Sequence, residues 1–344
     1  MDAPPGPIRD TAVTVSGLRK SFRVKDKTVA AVTGIDLVVA EGEIFGLLGP
    51  NGAGKTTTLR ILTTLLPADD GQATVAGADV RRAPRLVRRR IGYVGQLGGA
   101  DPSATGRENL LLAGRLYGLS ASAARQRATE LLAVFDLAAL ADRAVRTYSG
   151  GQKRRLEVAL GIMHQPRVLF LDEPTTGLDP QNRANLWDQL RRLRAGGATI
   201  VVTTHYLDEA DQLCDRVAIV DQGKVIALGT PDELKDRYSG NAITLTPSVP
   251  ATDLPALASD LAAELAARAL ADAAGPAGAP EPATVTDTTI RLAVTDTTRA
   301  MSAACGLLAA RGIEVAGVSM ARPTLDDVFL NETGKTLRDT GVAA

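Results

Sequence analysis

The chain has 344 residues, 45% of them hydrophobic and 23% charged. That length exceeds one ordinary domain and excludes a small stapled scaffold, while the composition excludes a disordered chain. Lys plus Arg and Asp plus Glu balance at 39 each, so no global field holds the protein on nucleic acid or an acidic membrane, and any such contact must come from a local patch.

Two cysteines, Cys214 and Cys305, cannot form a disulfide framework. With a start of Met1-Asp2-Ala3-Pro4-Pro5 that carries no apolar leader, they predict a reducing, cytoplasmic setting. No run of about 18 uncharged apolar residues occurs, so membrane contact is expected to be peripheral. Residues 241–344 hold 7 Lys/Arg against 12 Asp/Glu, leaving 32 against 27 before them. This asymmetry, with the turn-forming run Tyr238-Ser239-Gly240-Asn241, predicts two units: 11–240, and an α+β accessory unit over 241–338. Residues 1–10 and 339–344 read as disordered ends.

In chain order, residues 35–39 and 44–48 read as strands, the second running into a Gly-rich loop and a helix from Lys55 to about Leu66. Strand, loop and helix make the βα unit of a parallel sheet. Arg81, Arg82, Arg85, Arg88, Arg89 and Arg90 predict a solvated helix face or a contact with anionic headgroups or phosphate. Nucleic acid is not expected there, because no stacking aromatics interleave with the cations. Between about 97 and 160 the pattern is a helical insert, with helices over 110–116, 121–135 and 137–143. Residues 167–171 and 199–203 are continuous apolar or β-branched runs, as in strands covered on both faces, around a helix near 182–194 that Gly196-Gly197 ends.

The tail predicts a strand at 242–246 and a helix from 254 to about 271 with Asp260, Glu264, Arg268 and Asp272 along one face. A loop at 275–282 comes next. Strands at 289–294 and 313–319 then flank a helix capped by Asp296 and ended by Gly312.

Two motifs carry chemistry. Gly49-Pro50-Asn51-Gly52-Ala53-Gly54-Lys55-Thr56, followed by Thr57, matches the phosphate-binding pattern GxxxxGK[ST] between a strand and a helix. Its backbone N–H groups and helix N-terminus make a nest for phosphate, Lys55 adds a point charge, and Thr56 offers a hydroxyl to Mg²⁺. Residues 168–173 form an apolar strand ending in Asp172 and Glu173, at the sheet edge where ligands bind. Asp172 suits the metal. Glu173 is placed to orient or deprotonate an attacking water, since phosphoryl transfer needs an in-line nucleophile and charge neutralisation.

Tyr148-Ser149-Gly150-Gly151-Gln152 then makes a resemblance specific: it is similar to the signature of the ATP-binding cassette family, usually Leu-Ser-Gly-Gly-Gln. Tyr148 departs from it, with little consequence expected. The resemblance covers residues 11–235 and implies an α/β, P-loop nucleotide-binding domain with a mixed sheet and a helical insert, using ATP and Mg²⁺. It further implies that Gln96 touches Mg²⁺ and the water, that Asp179 lies in a loop crossing a dimer interface, that His205 contacts the γ-phosphate, and that Phe22 stacks on adenine. His164 is expected to be structural. In this family two copies pair head to tail, so ATP held by Lys55, Thr56 and Asp172 of one copy is sealed by Ser149 and Gly151 of the other, and hydrolysis at Glu173 opens the homodimer.

The segment Arg322-Pro323-Thr324-Leu325-Asp326-Asp327-Val328-Phe329-Leu330, with Thr333-Gly334-Lys335, resembles the C-terminal part of daunorubicin-resistance-type exporter subunits. That implies a separate integral-membrane permease of the ABC-2 type as partner, a drug-like cargo, and a peripheral place on the cytoplasmic face of the membrane. The accessory unit is expected to stabilise the dimer, because its charges and scarce aromatics suit a flat aromatic drug poorly. The competing class is a soluble cassette ATPase of nucleic acid or the ribosome. Heptads, metal-spaced Cys/His and a second cassette, which that class calls for, are all missing from the sequence.

Overall fold

The structure, a computed structural model, describes residues 10–24, 27–238, 241–250, 252–272, 283–286, 288–294, 297–321 and 324–333. The expected ends save Asp10, the turn at 239–240, the loop 275–282, the Asp296 cap, Arg322-Pro323 and Gly334-Lys335 lie outside the described residues, as do the side chains of Arg268 and Asp272. Two compact units divide between Pro231 and Asp232.

The first unit opens with two long antiparallel strands, β1 (Thr11–Val24) and β2 (Lys27–Ala40), followed by β3 (Ile44–Leu48). β2 begins well before the apolar run at 35–39 because residues 27–30 are all exposed and leave no hydrophobic pattern to read. Helix α1 (Lys55–Leu62) stops short of Leu66, where Thr64 takes a left-handed φ of 62°. Then come β4 (Asp70–Val75), β5 (Ala78–Asp79), α2 (Pro84–Arg90) and β6 (Ile91–Val94).

The insert holds α3 (Gly106–Leu116), α4 (Ala121–Val134), single turns at Ala138–Leu140 and Val145–Thr147, and α5 (Gly150–Gly161). The helix expected over 137–143 shrinks to the first of those turns. Asp136 adopts a φ of 55° and the Leu137 amide bonds back to Leu132, which leaves too few residues for helix propagation. The unit is completed by β7 (Val168–Asp172), α6 (Pro180–Ala195), β8 (Thr199–Thr204), α7 (Leu207–Leu213), β9 (Arg216–Asp221) and β10 (Lys224–Gly229), and α8 (Pro231–Tyr238) starts at the division.

Strands β3, β7 and β8 are buried at every position, which is why they read as unbroken apolar or β-branched runs. They sit in a six-stranded sheet of order β10-β9-β3-β8-β7-β6, parallel except at β10. A second sheet, β2-β1-β4-β5, is antiparallel. One core joins the two: Val13, Leu37 and Val75 from the antiparallel sheet meet Phe45, Phe170 and Val201 from the other around Leu59 and Leu62 of α1. Each such Leu or Phe contributes about 1.5–3 kcal/mol by leaving water. Because β3, β8, β7 and β6 are parallel neighbours, the segments that follow them leave one edge. The phosphate loop, His205, Glu173 and Gln96 therefore lie along that edge in spatial order.

The arginine run is an exposed face with anchors: Arg81, Arg82, Arg85, Arg88 and Arg89 are exposed and Arg90 is half-buried, while Arg81 donates to the Ala68 carbonyl, Arg88 to Thr64 Oγ1 and Arg90 to the Ala76 carbonyl, tying down three turns.

The second unit runs β11 (Asn241–Pro247), α9 (Leu254–Asp272), β12 (Thr284–Thr286), β13 (Thr289–Val294), α10 (Thr297–Ala310), β14 (Val315–Ala321) and α11 (Leu325–Thr333). Its antiparallel order, β12-β13-β11-β14, is the split βαββαβ arrangement of ferredoxin-like folds. Ile243, Leu245, Ile290 and Leu292 pack with Leu254 and Leu261 of α9 and Leu308 of α10. The α9 stripe has a partner: Arg311 bridges Asp260 at 3.2 Å and Glu264 at 2.7 Å. Among the described residues no helix is long and apolar enough to cross a membrane.

Candidate active site

The phosphate loop leaves β3 under tight backbone contact. A Cβ on Gly49 would strike the Val220 carbonyl of β9, and one on Gly54, whose φ is 104°, would strike the Ala31 carbonyl of β2. Lys55 follows as the first residue of α1, 4% exposed, with Nζ donating to the carbonyls of Gly49 at 2.6 Å and Pro50 at 2.9 Å. Burial draws its pKa down, opposed by the nearby Glu173 and Asp172. The ammonium is thus preplaced in the loop by two acceptors that phosphate oxygens can replace. Residues 51–57, with Phe22, Ala31, Gln96 and Glu173, line a cavity of about 360 Å³.

Asp172 ends β7 at 1% exposure. Its Oδ1 accepts from Thr56 Oγ1 at 2.9 Å and Thr203 Oγ1 at 2.7 Å, but its Oδ2 has no partner. A buried carboxylate oxygen without a donor is costly. Beside the Thr56 hydroxyl it forms a hard-oxygen set that suits Mg²⁺.

Glu173 sits in the left-handed region, with a φ of 46°, a strained conformation for a residue with a side chain. The strand holds it there, since the Glu173 amide donates to the Thr203 carbonyl at 3.2 Å and to Thr203 Oγ1 at 3.0 Å. Its carboxylate meets Thr176 Oγ1 at 3.3 Å, His205 Nδ1 at 3.5 Å and Lys55 Nζ at 3.9 Å. The facing His205, ahead of Lys55, holds this carboxyl below its usual range despite partial burial. Glu173 is therefore an anionic acceptor at neutral pH.

Gln96 is exposed and lines the same cavity. Phe22 is 37% exposed on β1 with Lys20 Nζ 5.7 Å from its ring centre, which is not the setting of a core phenylalanine. His164 has the structural role expected of it: it stacks on Tyr117 at 3.7 Å and bonds the Ile91 carbonyl through Nε2 at 2.8 Å.

The remaining candidates stand apart. Ser149 caps α5, which begins at Gly150: Gln152 N donates to Ser149 Oγ at 3.3 Å and Ser149 N to Gln152 Oε1 at 2.9 Å. Gly151 lies against Asn182, and Asp179 caps α6 by accepting from Asn182 N at 2.9 Å. None of Ser149, Gly150, Gly151, Gln152 or Asp179 lines the cavity of its own chain. Tyr148 turns inward, its hydroxyl donating to the Leu140 carbonyl at 2.6 Å. Tyr148→Phe is expected to cost about 1 kcal/mol in denaturant unfolding with turnover unchanged.

Thr203 escaped the sequence reading although a hydroxyl inside an apolar strand hinted at it, and Glu209 gave no hint. Glu209 of α7 is fully buried, accepting from Trp187 Nε1 at 3.1 Å, and burial pushes its carboxyl pKa up. Folding thus favours its protonated form. Its contribution to stability is complete below the unfolded value of about 4.3 and declines as pH rises through the elevated folded value. Glu209→Gln is expected to flatten the loss of melting temperature between acid and alkaline pH; a slope equal to wild type would contradict this.

The cassette-family likeness extends beyond motifs. A family model described as ABC transporter matches residues 32–176. Daunorubicin resistance ATP-binding protein DrrA2 of Streptomyces coeruleorubidus is 46% identical over 96% of this chain and 97% of its own length. The chain belongs to the ATP-binding cassette family. As such it binds ATP and is an ATPase subunit of the ABC transporter type. Doxorubicin resistance ATP-binding protein DrrA of Mycobacterium tuberculosis (strain CDC 1551 / Oshkosh) is 43% identical over 94% of each chain. Among solved structures, a dimeric post-hydrolysis ATP-binding cassette with ADP and Pi superposes with a TM-score of 0.59 at 26% identity, covering 63% of this chain and 98% of its own. The cassette likeness in the first unit is therefore one of fold as well as sequence.

Proposed function

We propose that this ATPase drives export of a drug-like compound through a separate ABC-2 type permease, working as a head-to-tail homodimer on the cytoplasmic face of the membrane. The single observation that carries the reading is full-length likeness to drug-resistance subunits, running through the second unit as well as the cassette. Such relatives favour transport over a nucleic-acid or ribosomal role. Exposed apolar residues give a permease something to hold: Leu97, 97% exposed beside Gln96, and Leu112, Leu116 and Tyr117 along and just past α3. We assign 11–240 to the cassette and 241–338 to an accessory domain that supports the dimer.

In the proposed chemistry, Lys55 and the loop amides hold the β- and γ-phosphates, and Phe22 stacks on adenine. Thr56, Asp172 and Gln96 would hold Mg²⁺, which supplies charge neutralisation on the phosphates when bound. Glu173 accepts the proton of the attacking water, whose oxygen bonds phosphorus in line as the bond to ADP breaks. His205 keeps Glu173 oriented and meets the γ-phosphate. Ser149, Gly150, Gly151 and Gln152 of the second copy complete the site, with Asp179 at the dimer interface. The test is ATP-dependent uptake of daunorubicin by inverted vesicles carrying the chain and its co-purifying permease, with Glu173→Gln vesicles as the control. Uptake only by the active protein is expected. Equal uptake by both, or co-purification with ribosomes instead of a membrane protein, would remove the reading.

A further inference from the structure

Arg154 lies one turn into α5 and is 7% exposed, yet its guanidinium is spent on the edges of the catalytic loops. Nε donates to the Pro174 carbonyl at 2.8 Å and Nη2 to the Asp172 carbonyl at 3.2 Å, the two carbonyls that flank Glu173. Nη1 donates to the Gly95 carbonyl at 2.8 Å, immediately before Gln96, and to Glu157 Oε2 at 3.1 Å. Glu157, itself buried, presses on the far side of the same loop: Gly98 has a φ of 71°, and a Cβ there would overlap the Glu157 carboxylate. The Gly98 amide closes the turn on the Gly95 carbonyl at 3.4 Å. Gln96 and Leu97 thus form a tip held at both shoulders by side chains one turn apart on α5, whose N-cap is Ser149.

We propose that Arg154 is a positioning residue that makes the Ser149 end of α5, the Gln96 loop and the backbone around Glu173 move as one body. Seating of the second copy's nucleotide on Ser149 then sets Gln96 and Glu173 of the same chain, coupling the two composite sites. The proposal rests on the site roles given above. A planar guanidinium with five donors can serve three carbonyls and a carboxylate at once; a lysine ammonium, with three donors at a single point, cannot span them.

The test is a set of full-length variants, Arg154→Gln, Arg154→Lys and Gln96→Ala, and the double variant Arg154→Gln with Gln96→Ala. Arg154→Gln and Arg154→Lys are expected to lower kcat about 10- to 100-fold, as misplacement by about an ångström does, with ATP affinity near wild type. The double variant should lose little more than the worse single one, because the two substitutions disable one unit. Wild-type turnover in Arg154→Lys, or multiplicative losses in the double variant, would overturn the proposal. Should the Arg154 variants fail to fold, Gly98→Ala keeps Arg154 and pushes the loop off Glu157. It is expected to show the same kcat loss and non-additivity with Gln96→Ala, and unchanged turnover would overturn the proposal equally. Turnover surviving Glu173→Gln would instead remove the site roles, a result distinct from a failure confined to Arg154.

Discussion

Glu173→Gln is expected to cut ATP hydrolysis by about 10²- to 10⁴-fold, the range of general-base contributions, while ATP stays bound. The substitution keeps the shape of the side chain and removes only its charge. Binding is expected to persist because the groups proposed to hold phosphate are elsewhere: Lys55, whose Nζ sits at the loop carbonyls, and the amides of residues 51–54 in the cavity lining. Proton acceptance is lost because, among the described residues, no other carboxylate lines the cavity, Asp172 being committed to Thr56 and Thr203. With the γ-phosphate uncleaved, a nucleotide bridging two copies should keep them joined. Hydrolysis assays and equilibrium binding of ATP measure the two halves of the expectation separately, and undiminished turnover would take Glu173 out of its role.

Ser149→Phe is expected to reduce hydrolysis to background without weakening ATP binding to the monomer. Ser149 is exposed and outside its own chain's cavity, so a bulky side chain there cannot obstruct that chain's nucleotide. In a head-to-tail pair it would lie against the second copy's γ-phosphate and block closure. The change also removes the α5 cap, at about 0.5–2 kcal/mol, so melting temperature must be followed alongside activity. Parallel loss of binding and turnover would argue that each chain holds a self-contained site.

Much of the site was legible in the sequence because local chemistry encodes it. The phosphate loop needs glycines where the backbone is crowded by Ala31 and Val220, and Asp172 ends, and Glu173 follows, a strand whose five residues are all buried. What could not be read depends on contacts distant in the chain. β1 and β4 alternate and expose polar residues and β5 is only two residues long, so their pairing is visible only once the antiparallel sheet is assembled. The left-handed φ of Glu173 is imposed by Thr203, thirty positions on, and Arg154 looks like any signature-helix arginine until its acceptors at Gly95, Asp172 and Pro174 are in place. The 137–143 segment misled because Leu and Ala at helical spacing did not reveal the turn at Asp136.

The most direct test of a shared site is sedimentation of the Glu173→Gln protein with ATP, with ADP and without nucleotide. The account predicts a dimer with ATP alone, and a monomer with ATP once Ser149→Phe is added to the same chain. An ATP-loaded protein that stays monomeric, while the wild type hydrolyses ATP at full rate at the same dilution, would contradict it.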